Sequence, residues 1–131
     1  MKRQHIARFT GFVAALIASG SLVWQVNAAD ANEDAIKEFM KAYHKAPKGT
    51  DPTCKKASNG EASKDELKKL VAGYKIMCSA KPPKGDAASW KEKTTKLLAA
   101  AQGLEKGGAD ALAKYKEAVN CKACHSVHKP D

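Results

Sequence analysis

Residues 110–125, DALAKYKEAVNCKACH, form the stretch of sequence that decides the fold, because they predict a helix that ends in three reactive side chains. The apolar residues of this stretch recur at helical spacing and continue into Cys121, Cys124 and His125. Positions i, i+3 and i+4 of a helix share one face. The stretch therefore predicts an α-helix that presents two thiols and an imidazole from the same side.

The order Cys-x-x-Cys-His is the attachment pattern for haem c. The thiols of Cys121 and Cys124 are expected to add to the two vinyl groups of the haem, and His125 is expected to bind the iron from the proximal side. One covalently attached haem c is therefore the cofactor that the sequence predicts.

Three alternative chemistries fit the motif less well. A zinc site needs a second pair of ligands at regular spacing, and a thioredoxin-like Cys-x-x-Cys accompanies a βαβ pattern that is missing here. A disulfide between Cys121 and Cys124 would be strained on a helix. A non-haem metal-binding helical bundle remains as a distant alternative, and its further ligands would have to come from a scattered set: His44, Cys54, Cys78 and His128.

The remainder of the chain predicts an all-α protein, because no stretch alternates with the two-residue period of a strand. Three further stretches place apolar residues at 3.6-residue spacing, and short Pro/Gly segments join most of them. We expect an antiparallel four-helix bundle with a C-terminal haem-attachment helix. The three helices are expected to begin near Asp30 or Asn32, at Ser63 and near Asp86, with the stripes Ile36/Phe39/Met40/Tyr43, Leu67/Leu70/Val71/Tyr74/Met77/Cys78 and Trp90/Leu97/Leu98/Ala101/Leu104.

Residues 47–62 make the one long connection. An unstructured loop of this length is unusual inside a small domain, and Asp51-Pro52 is typical of a helix cap followed by a first-turn proline. We therefore expect a short helix that ends at Asn59-Gly60.

The first 28 residues differ from the rest. Lys2, Arg3 and Arg8 precede an apolar run at residues 9–23, and Val26-Asn27-Ala28 is typical of a cleavage site. We expect residues 1–28 to be a cleaved secretory signal peptide and residues 29–131 to be the mature periplasmic protein. A membrane anchor is the alternative, but the apolar run is shorter than the roughly 20 residues of a span. No stable membrane insertion is expected after cleavage.

Basic charge is dispersed along the chain, which has 23 Lys and Arg, 14 Asp and Glu, and a net charge of +9. Removing residues 1–28 takes away Lys2 and both arginines, and leaves 20 lysines against 14 acids, a net charge of +6. Nucleic acid is not expected as a partner, because its recognition favours the guanidinium fork. Lys122 lies within the motif and Lys129 follows it, and both are expected to steer an acidic redox partner protein.

A Cys-x-x-Cys-His motif on the last helix of a four-helix bundle resembles the class II cytochromes c, the cytochrome c′ and cytochrome c-556 family. The likeness covers the architecture of the whole mature chain. Its specific residues are Cys121, Cys124, His125 and Lys129, which stands where the family has a basic residue on the haem side. The resemblance also implies that the protein could form a homodimer through its first two helices.

Met40-Lys41 looks like the Met-Lys pair of the c-556 branch, whose methionine reaches iron from the distal side. The sequence departs from the family at one point, since the family's first helix commonly has an arginine near the haem propionates. The mature chain has no arginine, and Lys37 and Lys41 are the nearby candidates for that role.

The sixth iron position decides the function. If Met40 binds the iron, the expected role is one-electron transfer. If Met40 is only one more residue of the apolar stripe, the resemblance to cytochrome c′ implies a five-coordinate haem open to nitric oxide or carbon monoxide. His44 is an alternative distal ligand or a surface residue, and we expect His128 at the surface or on the propionate side. An electron carrier is the prediction, gas binding the alternative, and no enzyme activity is expected.

Cys54 and Cys78 remain once the motif cysteines are assigned. An oxidising compartment favours a disulfide between them, although Cys78 lies near the far end of its helix. The alternative is that both are small buried side chains.

Overall fold

The computed structural model describes residues 28–131, and the protein is all-α as predicted. Within this range there is no β-strand, and the elements are six helices: α1 (Ala28–Tyr43), α2 (Thr53–Asn59), α3 (Lys64–Ser79), α4 (Ala87–Glu105), α5 (Ala111–Ala118) and α6 (Cys121–His128).

Side-chain caps confirm two of the predicted helix starts. At α3 the N–H of Glu66 donates to Oγ of Ser63 at 3.2 Å, and the N–H of Ser63 donates to Glu66 Oε2 at 2.8 Å. This reciprocal pair is a capping box and satisfies two backbone donors that the helix itself leaves free. At α4 the carboxylate of Asp86 accepts from the N–H of Ser89 at 2.7 Å.

The first helix is already formed at Ala28, where the described residues begin, so Asp30 and Asn32 lie inside it rather than at its start. Alanine has the highest helix propensity, and the Ala28-Ala29 pair extends the helix through both expected caps. The expected signal peptide, residues 1–28, lies outside the described residues except for Ala28. None of the helices in residues 28–131 is long and apolar enough to cross a membrane.

The short helix predicted between residues 47 and 62 is present as α2. Its cap is Pro52 rather than Asp51, whose carboxylate instead accepts from Nζ of Lys55 at 2.7 Å. Gly60 ends the helix with φ +77°, a left-handed conformation that glycine adopts at no steric cost.

The predicted last helix is wrong in one respect, because it is not continuous. Val119 and Asn120 interrupt it and separate α5 from α6. The side chain of Asn120 accepts a hydrogen bond from the N–H of Ala123 at 3.0 Å and so caps α6. Asparagine competes with the helical backbone in this way, and this competition is the physical reason why a helix restarts here.

Helices α3 and α4 lie at the centre of the fold. Helix α3 contacts α1, α2 and α4, helix α4 also contacts α5 and α6, and α2 packs on α5. Eight residues of the predicted apolar stripes enter the core. The others are only partly buried: Met40, Tyr43, Leu67, Cys78, Leu97, Leu98 and Leu104. The core consists of Ile36, Phe39, Cys54, Ala57, Leu70, Val71, Tyr74, Met77, Ala80, Trp90, Ala101 and Tyr115.

Candidate cofactor site

Five side chains that the sequence singled out line one cavity of about 340 Å³. Helix α6 contributes Cys121, Cys124 and His125, helix α1 contributes Met40, and His44 follows directly after α1. These residues come from opposite ends of the described chain, so tertiary folding brings them together. These five residues bring two thiols, two imidazoles and a thioether to the cavity.

The α6 side of this cavity is open to solvent. Cys121 and His125 are exposed, and Cys124 is half-buried. Burial raises the pKa of the Cys124 thiol, whereas the positive charge of Lys93 acts in the opposite direction. Both thiols are therefore within reach of a group that enters the cavity from outside.

His128 fixes the C-terminal end of α6, and its predicted surface position is wrong because it is fully buried. Its Nδ1 bonds the carbonyl of Lys84 at 2.9 Å, and its Nε2 bonds Oγ of Ser89 at 3.2 Å. A carbonyl only accepts, so Nδ1 carries the proton and Nε2 accepts from the Ser89 hydroxyl. The ring also packs edge-on against Trp90, with centroids 5.3 Å apart.

A second cavity of about 300 Å³ adjoins the first. The two cavities share the side chains of Met40, Met77, Cys124 and His125. Four lysines line the second cavity and three of them belong to α1 or directly follow it: Lys37, Lys41, Lys45 and Lys129. Carboxylates of a bound group would find positive charge at this end.

His44 is half-buried and hydrogen-bonded rather than a freely solvated surface residue. Its Nε2 lies 3.1 Å from the hydroxyl of Tyr74, which in turn lies 2.8 Å from the hydroxyl of Tyr115. Burial, with a smaller contribution from His125, lowers the pKa of His44 to about 4. The imidazole is therefore uncharged at neutral pH and has a lone pair for a hydrogen bond or for a metal.

No family model, curated protein or solved structure matches this chain. Assignment of the site therefore depends on the side chains that line the two cavities. Across the part of the chain that the structure describes, no three His, Cys, Asp or Glu side chains converge on a point that could hold a metal ion.

The residues present fit a haem c. Thioether attachment needs two accessible thiols on one helical face, and Cys121 and Cys124 meet that requirement. The imidazole of His125, in the next helical position, would bind the iron, and Met40 and His44 line the same cavity. The adjoining cavity provides further space together with its lysines.

Met77 is a cavity residue that sequence reasoning assigned only to the core stripe of α3. Its side chain is almost fully buried, lines both cavities, and so shares its surroundings with Met40. The period of the stripe identified its buried face. The period cannot show which other helix packs against that face, because this depends on the tertiary fold.

Cys54 and Cys78 are free thiols in the structure, so the disulfide, one of the two alternatives for this pair, is not formed in it. Cys54 belongs to the core, and burial raises the pKa of its thiol to about 11. Cys78 is half-buried, and its carbonyl accepts from Nζ of Lys91 at 3.0 Å. The alternative of a small buried side chain describes Cys54 well and Cys78 in part.

Proposed function

We propose that the protein is an exported c-type cytochrome with one covalently bound haem, and that it transfers single electrons in the periplasm. The observation that supports this most strongly is the cavity that Cys121, Cys124 and His125 share with Met40. Two attachment thiols, a proximal imidazole and a thioether are together the donor set of a His/Met-ligated cytochrome c.

The fold in this proposal is an antiparallel four-helix bundle of the class II cytochrome c type. Helices α1, α3 and α4 are its first three members, and α5 with α6 forms the fourth. Contacts of α1 with α3, of α3 with α4, and of α4 with both α5 and α6 support this order. Helices joined by short loops in an up-and-down bundle are neighbours in space.

Each cavity residue has a separate task in this proposal. Cys121 and Cys124 would hold the cofactor to α6, His125 would bind its iron, and Met40 would also bind the iron and keep water and small ligands away from it. The bound haem supplies a metal that gains and loses one electron reversibly. Because Met40 belongs to α1 and His125 to α6, the positions of these two helices around the cavity would set the distance between the two residues that hold the iron.

The lysines at the second cavity complete the proposal. Lys37, Lys41 and Lys129 line it and would pair with the two haem carboxylates, in place of the arginine found in the family. Lys122, exposed on α6, adds positive charge beside the attachment motif. An acidic partner protein would be steered to this edge by long-range attraction, which speeds encounter at low salt.

Covalent attachment is the property to test. The protein is produced in cells with a cytochrome c maturation system, and haem retention is measured after extraction with acidified organic solvent. We expect the wild type to keep its haem and the double variant Cys121→Ala/Cys124→Ala to lose it. Cys78→Ala is the matched control, because it removes a thiol outside the motif, and it should keep the haem. A wild type that releases its haem, or never acquires a Soret band, contradicts the proposal.

A spectrum of the same purified protein separates the electron carrier from its alternative. A sharp reduced α band supports six-coordinate low-spin iron and electron transfer. A broad high-spin spectrum that shifts when carbon monoxide is added identifies the five-coordinate gas-binding form instead.

A further inference from the structure

The structure brings two competing ligands to the same side of the cavity. Met40 and His44 are one helical turn apart, and the N–H of His44 donates to the carbonyl of Met40 at 3.0 Å, which continues the helical register. Both residues line the cavity that His125 also lines. An uncharged imidazole is a strong ligand for haem iron, so binding by Met40 requires something that holds His44 away.

Tyr74 restrains the nitrogen with which His44 would bind. Its hydroxyl is 3.1 Å from Nε2 of His44 and 2.8 Å from the hydroxyl of Tyr115. In one order Tyr115 donates to Tyr74, and Tyr74 donates to the lone pair of Nε2. In the reverse order Nε2 carries the proton and donates it to Tyr74. Nε2 has no free lone pair in either case.

The restraint is buried and packed from two sides. Tyr74 and Tyr115 have no solvent-exposed surface, so water cannot replace the hydrogen bonds between them. The ring of His44 stands edge-on to Phe39, with centroids 5.3 Å apart, and edge-on to Tyr74, with centroids 5.7 Å apart. Turning the imidazole toward an iron in the cavity would break a partly buried hydrogen bond and both ring contacts.

We infer that Tyr74 is a positioning residue that withholds His44 from the iron and thereby assigns the sixth position to Met40. This inference rests on the proposed function, because it concerns the haem that the cavity would hold. In this inference, a residue of α3 decides whether methionine or histidine binds the iron, although α3 supplies neither of these ligands.

Tyr74→Phe tests the inference by removing the hydroxyl while keeping the ring. The readout is the long-wavelength charge-transfer band that marks methionine bound to ferric haem. The wild type should have this band, and Tyr74→Phe should lose it while staying low-spin, with a lower reduction potential because an imidazole replaces the thioether. Tyr115→Phe is the matched control, since it removes a phenol hydroxyl from the same network without touching His44, and it should keep the band.

A second variant separates ligand exchange from general damage to the fold. In Tyr74→Phe/His44→Phe no competing imidazole remains, so the methionine band should return. The inference is overturned if Tyr74→Phe keeps the band, if Tyr115→Phe loses it equally, or if the double variant fails to restore it. A low-spin wild type with covalent haem but without the band overturns this inference alone, whereas a high-spin wild type or one without covalent haem overturns the proposed function as well.

Discussion

The ring of Phe39 in α1 lies directly over the backbone of Gly73 in α3, because glycine places no side chain between them. A Cβ atom on Gly73 would overlap the ring atoms Cε2, Cδ2 and Cζ of Phe39. Phe39 stands between Tyr43 and Tyr74 in the aromatic cluster that also contacts His44. The position of α1, and with it the position of Met40 and His44, therefore depends on glycine at position 73.

Gly73→Ala should therefore destabilise the protein, although alanine favours helices. The added methyl group displaces a buried ring, and such overpacking costs about 3 kcal/mol. Gly103→Ala is the control, because its new Cβ would meet only Cβ of Ala111 at 4.0 Å. That variant should be more stable by about 0.5–1 kcal/mol through helix propensity. Denaturant unfolding monitored by circular dichroism measures both changes, and equal effects at the two glycines would contradict the close approach.

Met40→Leu and Met77→Leu separate a metal ligand from a core residue in the same cavity. Both exchanges conserve volume, so each should cost less than about 1.5 kcal/mol of stability. In the proposed cytochrome only Met40→Leu should convert low-spin iron to high spin, which the optical spectrum and paramagnetic resonance report. Met77 lines both cavities but is only 2 % exposed in the core, and it should be replaceable without a change of spin state. The opposite pattern would make Met77 the ligand.

His128→Phe should loosen the end of α6. The phenyl ring preserves most of the packing against Trp90 but leaves the carbonyl of Lys84 without its donor, which costs about 2 kcal/mol. Ser89→Ala removes only the bond to Nε2 and should cost less. Thermal unfolding of the wild type, Ser89→Ala and His128→Phe should give midpoint temperatures that decrease in that order. A His128→Phe protein as stable as the wild type would mean that the two hydrogen bonds contribute nothing.

Alkaline pH should weaken the fold through Tyr115. Burial raises the pKa of this phenol above its ordinary value of about 10. The unfolded chain then gives up the proton at lower pH than the folded protein, so the stabilisation is complete below about pH 10 and falls as the pH rises above it. Tyr115→Phe should be less stable at neutral pH by about 1 kcal/mol, because it loses a hydrogen bond.

The measurement for Tyr115 is the slope of unfolding free energy against pH. Above about pH 10, the ordinary pKa of a phenol, the slope of the Tyr115→Phe variant should be shallower than that of the wild type. Identical slopes would show that the buried phenol does not contribute to the loss.

Local signals account for most of what could be predicted from the sequence. The Ser63 capping box and the spacing of Cys121, Cys124 and His125 involve residues within one helical turn, where propensity and periodicity apply directly. The break before α6 could not be predicted in the same way, because Val119 continues the apolar period across it.

Tertiary contacts account for what could not be predicted at the site. His128 bonds Lys84 across 44 positions of the chain, and Tyr74 bonds Tyr115 across 41. Neither the histidine at position 128 nor the tyrosine at position 74 indicates, from the sequence alone, which distant residue it will bond. A histidine three residues from an exposed motif residue is ordinarily solvated, and two tyrosines on apolar stripes are ordinarily independent core residues.

Residues far apart in the sequence line the cavity, and this separation also affects the entropy of the unfolded state. A metal bound by Met40 and His125 would close a loop of roughly 85 residues. In the chain-entropy description a permanent cross-link of that span disfavours the denatured ensemble by about 4.5 kcal/mol. The bond to Met40 would then be a reversible cross-link between α1 and α6. It would stabilise the folded protein when it forms, and that stabilisation would be lost when it breaks.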